Sequence, residues 1–159
     1  AAQVIRNLWA FSVIYCGHLP DGNYTFTEQE MEAESKGQWY LRQILGSSNF
    51  EGSLLTHIMS GHLSHQVEHH LYPDIPAWRY REMGPKVREI CERYGVPYQT
   101  GQMAPMLKTV AQRLVKYAVP ERDQWPFIGK MFGKKRKNEV RPLEAKVKSS
   151  PIEVAAKAA

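Results

Sequence analysis

The chain has 159 residues, 43% of them hydrophobic and 23% charged, the balance of one ordinary globular domain. A mean hydropathy of −0.48, with no run near the roughly 20 apolar residues of a spanning helix, excludes a chain lying wholly within lipid. The net charge of +5 is uneven: Lys130 to Ala159 holds nine basic and three acidic residues, so the basic character belongs to the tail.

Leu8 to Cys16 (LWAFSVIYC) is a nine-residue apolar run broken only by Ser12. It reads as a core element of a soluble domain or as the last half of a membrane helix. Pro20, Asp21 and Gly22 then make a turn, so the first element ends near His18. Thr27 and Glu30 have the spacing of a capping box and predict a helix start. Gln38 to Leu45 predicts one or two helical turns, closed by Gly46, Ser47 and Ser48.

Ser53 to Leu71 reads as one helix weakened at Gly61 and ended by Pro73 and Pro76. Ala77 to Tyr94 is amphipathic, with Tyr80, Met83, Val87, Ile90 and Cys91 on one stripe and Gly95 placed as a C-cap. Ala104 to Tyr117 predicts a further helix with Leu107, Val110, Ala111 and Leu114 inward. Beyond Pro120 the composition, including KKRK at Lys134 to Lys137, predicts a disordered tail. The predicted class is all-α. Cys16 and Cys91 form no C-x-x-C pair and read as packing residues in a reducing environment.

Five of the six histidines lie between His57 and His70. On one helix His62, His65 and His69 are spaced i, i+3 and i+7 and share a face, while His69 and His70 diverge by about 100°. Imidazole is the commonest metal-binding side chain near neutral pH, so the cluster is a candidate metal site. A second pattern overlaps it. His65 to His69 reads HQVEH, the H-x-x-E-H of inverted zinc proteases, with Glu68 as the base and His65 and His69 as ligands. A non-catalytic helical metal-binding module is the third reading.

The longer string GHLSHQVEHHLYPDIP resembles the third histidine box of the membrane fatty acid desaturases, whose pattern runs G-x-L-x-x-Q-[IV]-E-H-H-L-F-P. Gly61, Leu63, Gln66, Val67, Glu68, His69, His70, Leu71 and Pro73 fit, with Tyr72 in place of phenylalanine. VIYCGHLPDGNYTF and RYREMGPKVREICERYGVPY are similar to the same family's C-terminal region, so the resemblance covers about residues 4 to 120. His62 and His65 depart from the pattern, and the earlier boxes, H-x-x-x-H and H-x-x-H-H, are absent and would precede residue 1.

The resemblance implies a C-terminal fragment of a membrane desaturase. Residues 1–18 would end the last membrane helix, 19–120 would form a helical cytosolic cap with the box at 62–73, and 121–159 would be the tail. It implies two iron ions as cofactor, with His18, His69 and His70 as ligands and Gln66 as a weak or water-mediated one. Glu68, Asn49, His65 and His62 would stand behind them as hydrogen-bonding support. The implied partners are a fatty acyl-CoA or acyl lipid, O2, a ferredoxin- or flavin-type reductase and the membrane, with no nucleic acid. The segment would face the cytoplasm. Trp39, Tyr40, Trp78 and Tyr80 would sit at headgroup level, and KKRK against anionic lipid. Lacking two boxes, the chain alone is expected to be inactive.

Overall fold

A computed structural model describes residues 1–32 and 34–118. The predicted tail and its KKRK run lie outside the described residues. Residues 1–110 form one compact unit, and of the remainder only the end of the last helix is described.

The elements are α1 (Ala2–His18), α2 (Glu28–Glu32), α3 (Lys36–Leu45), β1 (Asn49–Glu51), α4 (Leu54–Met59) and α5 (Gln66–Leu71). A 3-10 turn (Ala77–Arg79) then leads into α6 (Tyr80–Arg93), β2 (Thr100–Gln102) and α7 (Met103–Ala118). β1 and β2 pair in parallel, Asn49 opposite Thr100 and Glu51 opposite Gln102. The all-α expectation is therefore corrected by one small two-stranded ribbon. A parallel pair needs a crossover, and here the crossover is the whole segment carrying α4, α5 and α6.

Local sequence explains most boundaries. Glu30 accepts both the backbone N–H and the hydroxyl of Thr27, at 2.7 and 2.9 Å, and starts α2. Ser35 and Gln38 cap α3 reciprocally, each side chain accepting from the other's backbone N–H. Arg42 then ties α3 to Glu34 through two hydrogen bonds.

The expected single helix over Ser53 to Leu71 is two short ones. The N–H of His62 donates to the His57 carbonyl at 2.7 Å and that of Gly61 to the Ile58 carbonyl at 3.0 Å, with Gly61 at φ +61°. That is a Schellman stop with glycine in the left-handed position. His62 is itself left-handed, at φ +60°. His62 thus lies in the connecting turn, and the shared face predicted for His62, His65 and His69 does not form. The same motif ends α6 where it was expected: Gly95 is left-handed and Val96 N–H donates to the Cys91 carbonyl at 2.8 Å.

The core joins Val13 and Cys16 of α1 to Phe50 of β1, with Trp9, Leu63, Met103, Met106 and Leu107 around them. Both cysteines are free and buried. Tyr80, expected at headgroup level, is instead 1% exposed. Among the described residues no helix is long and apolar enough to cross a membrane. Val4, Ile5, Leu8, Phe11 and Ile14 of α1 are nevertheless exposed, as are Leu54, Leu55, Ile58 and Met59 of α4.

Candidate metal centre

The end of α1 brings His18 against α5. His18 Nε2 and His70 Nε2 lie 3.1 Å apart, with the rings tilted at 57°. The other nitrogen of each ring fixes its tautomer. His18 Nδ1 is 2.8 Å from the Ile14 carbonyl, which only accepts, so Nδ1 carries the proton. His70 Nδ1 donates in the same way to Gln43 Oε1 of α3, at 3.1 Å. Both Nε2 atoms then present lone pairs to each other. Two lone pairs at that distance repel, and a cation between them turns the repulsion into coordination.

His69 follows the same pattern. The Tyr80 hydroxyl spends its proton on the Tyr72 carbonyl at 3.2 Å, so its oxygen accepts from His69 Nδ1 at 3.3 Å. His69 Nε2 is left as a lone pair. Adjacent on α5, the His69 and His70 rings stand at 83° to one another. Burial, then the neighbouring His18 and His69, push His70 down to about 4, so it is the neutral form that a metal binds.

Gln66 is buried against the end of α1. A Cβ on Gly17 would lie 2.8 Å from Gln66 Cγ, so the glycine before His18 is what admits this side chain. Ser48 closes the corner, its backbone N–H donating to the Gly17 carbonyl and its hydroxyl to the Cys16 carbonyl.

Glu68 sits on the buried side of α5. It is 0% exposed, and its oxygens accept from Asn49 Nδ2 at 2.8 Å and from the Tyr98 hydroxyl at 2.7 Å. Asn49 Oδ1 in turn accepts from the Val67 N–H at 2.9 Å. The carboxylate therefore bolts α5 to β1 and Tyr98; its nearest imidazole is His65, at 3.9 Å. Burial, followed by the Glu68 charge, pushes the Tyr98 phenol up, keeping it a donor. Each oxygen accepts one hydrogen bond and the carboxylate is closed off from solvent, an arrangement that does not favour the H-x-x-E-H reading, in which Glu68 would meet a metal-bound water.

His62 and His65 stand apart. His65 stands at the N-cap position of α5, stacks on His57 at 5.0 Å, and meets His69 through the backbone, its carbonyl accepting from the His69 N–H at 3.0 Å. Among the described residues no three His, Cys, Asp or Glu side chains form a complete metal site. The donor set fits part of a histidine-held metal centre, with further ligands needed. Gln43, Tyr80 and Tyr98, which orient this set, carried no motif in the sequence.

The sequence profile described as fatty acid desaturase matches residues 1–102. The chain is 50% identical over 121 residues to an NADPH-dependent stearoyl-CoA 9-desaturase of Mycobacterium tuberculosis, covering 76% of this chain and 28% of that protein. It is 29% identical over 116 residues to human fatty acid desaturase 3, covering 73% of this chain and 24% of that one. The chain thus spans about a quarter of the length of these relatives. No solved structure matches it. Profile and relatives agree with the histidine box, and the chain belongs to the fatty acid desaturase family.

Proposed function

We propose that this chain supplies one side of the di-iron centre of an O2-dependent fatty acyl desaturase. The observation that carries the reading is the 3.1 Å approach of His18 Nε2 and His70 Nε2, each with its Nδ1 already committed to an oxygen acceptor. His18, His69 and His70 would hold iron, with Gln66 beside them as a weak or water-linked ligand. Iron bound there would couple O2 reduction to removal of two hydrogens from adjacent acyl carbons, giving a cis double bond and water.

The chain's own residues prepare the site. The Ile14 carbonyl, Gln43 and Tyr80 hold the three rings in one tautomer, so no proton must leave before a metal binds. Glu68, Asn49 and Tyr98 fix α5 from behind. The remaining ligands would come from H-x-x-x-H and H-x-x-H-H segments outside residues 1–159. The acyl chain, carried on CoA or on a lipid, and a ferredoxin- or flavin-type reductase complete the proposed reaction. The exposed apolar residues of α1 support membrane association, with α3 to α6 on the cytoplasmic side.

The test is metal content and acyl-chain profile in cells expressing the gene, with any coding region upstream of residue 1 included. About two irons per chain and a new double bond, both lost in His70→Ala, are expected. A single zinc with unchanged lipids would sink the reading.

A further inference from the structure

Four aromatic rings run from α3 to the imidazole of His69. Trp39 and Tyr40, both half-buried on α3, meet edge to face with ring centroids 5.0 Å apart. Tyr40 meets Tyr72, at the C-terminal end of α5, at 6.5 Å. Both separations are those of aromatic rings in contact. From Tyr72 the path passes to Tyr80, whose hydroxyl donates to the Tyr72 carbonyl at 3.2 Å. The Tyr80 oxygen accepts from His69 Nδ1 at 3.3 Å, and the two rings stand 5.9 Å apart.

Indole and phenol are among the few side-chain groups that a strong oxidant can strip of one electron, and electrons cross contacts of this length readily. Holding the resulting hole is a separate matter, because an oxidised phenol sheds its proton. Tyr80 is buried and its proton faces only a carbonyl, too weak a base to keep it. Tyr72 is exposed, so water takes its proton. Tyr72 also stands where the histidine-box pattern has phenylalanine, whose ring lacks the hydroxyl and is far harder to oxidise. The hole therefore passes through Tyr80 and comes to rest on Tyr72, Tyr40 and Trp39.

We infer that Trp39, Tyr40, Tyr72 and Tyr80 form a relay that drains oxidising equivalents from the metal centre when O2 has reacted there without an acyl chain. The inference rests on the proposed function, which supplies the iron and the oxidant. One electron leaves the ring set for the oxidised iron, the Tyr72 hydroxyl proton goes to water, and the ring set is left one electron short. The reductase of the proposed reaction, or a soluble thiol, returns one electron, and water returns the proton. Without such a path the oxidant would attack the side chains nearest to it, His69 and Tyr80 among them.

The test uses the full-length gene product in detergent, loaded with iron, reduced without air and then exposed to O2 with no acyl substrate. Peptide mass spectrometry scores oxygen addition at Trp39 and at Trp78, which is 59% exposed and, among the described residues, touches no other aromatic ring. Half-buried Trp39 is expected to oxidise more than Trp78, and only when iron is present. Tyr72→Phe keeps the ring and removes the hydroxyl, so Trp39 oxidation is expected to fall to the Trp78 level at unchanged iron content and melting temperature. If Tyr72→Phe alters either, Tyr40→Phe replaces it with the same expectation. Trp39 oxidised equally in variant and parent, or less than Trp78 in the parent, overturns the relay. Absent iron, measured before O2 is admitted, marks instead a failure of the desaturase reading, and the relay falls with it.

Discussion

Gln43 holds His70 from a helix that carries no histidine, and it shows how the proposed centre depends on residues without a motif of their own. Its Oε1 accepts from His70 Nδ1 at 3.1 Å and so keeps the Nε2 lone pair toward His18. Gln43→Leu, similar in size but with no acceptor, is expected to lower metal affinity about 10–100-fold while leaving the fold intact. Equilibrium dialysis of the full-length gene product against graded chelator measures this, and an unchanged affinity would remove Gln43 from the site. Gly17 makes a steric prediction. Gly17→Ala forces a Cβ to within 2.8 Å of Gln66 Cγ, so either Gln66 or the end of α1 moves. A loss of about 1–3 kcal/mol is expected by denaturant titration, and the Gly17→Ala, Gln66→Ala pair should recover part of it because the clash goes. His18, Gln66, His69 and His70 came forward as candidates because a family pattern marks them. Gln43, Tyr80 and Tyr98 were not, because a hydrogen bond between distant helices leaves no spacing in the sequence.

The helices that sequence read well are those whose boundaries are made locally. α6 and α7 have an apolar stripe and α6 has Gly95 at its stop, and both lie within a few residues of expectation. The segment over α4 and α5 was misread because a single glycine carries two meanings. In a helical pattern Gly61 reads as a weak interior position, whereas at φ +61° it is the terminator. Gly61→Ala is expected to cost about 1–2 kcal/mol, measured by thermal or chemical unfolding, since alanine pays for the left-handed backbone. No clash contributes, because a Cβ there meets nothing within 4 Å. The β1–β2 ribbon was invisible for another reason: three-residue strands carry too little alternation to register. Its anchor can still be tested. Tyr98→Phe leaves Glu68 Oε1 buried without its donor at 2.7 Å and should destabilise by about 1–3 kcal/mol. Hydrogen exchange of the β1 and α5 amides should accelerate in the same variant.

At the scale of the whole molecule, α1 and α4 present apolar side chains that the unit does not cover, Ile5 at 69% and Leu55 at 68% exposure among them. Trp9 joins the two helices through a hydrogen bond from its Nε1 to the Met59 carbonyl at 3.0 Å. Uncovered surface of this kind associates in water. Residues 1–159 alone are expected to aggregate without detergent and to run as a smaller species with it, checked by size-exclusion chromatography with light scattering. Under the proposed function they should also yield no new double bond, since the described residues hold too few ligands for two irons. A monodisperse monomer in plain buffer would show that α1 and α4 need no cover.

The parallel pairing of Asn49 with Thr100 also sets an order of events during synthesis. When β1 leaves the ribosome its partner strand is about fifty residues from being made, a wait of about 3–10 s at ordinary elongation rates. Through that interval Glu68 emerges before Tyr98, and His70 before the lock behind α5 can close. The candidate ligand histidines are thus exposed to the cell before they are held, and under the proposed function a metal that arrives early meets flexible ligands. Any chaperone or metal supplier acting on this chain has that window, and translation pausing between residues 71 and 98 would lengthen it.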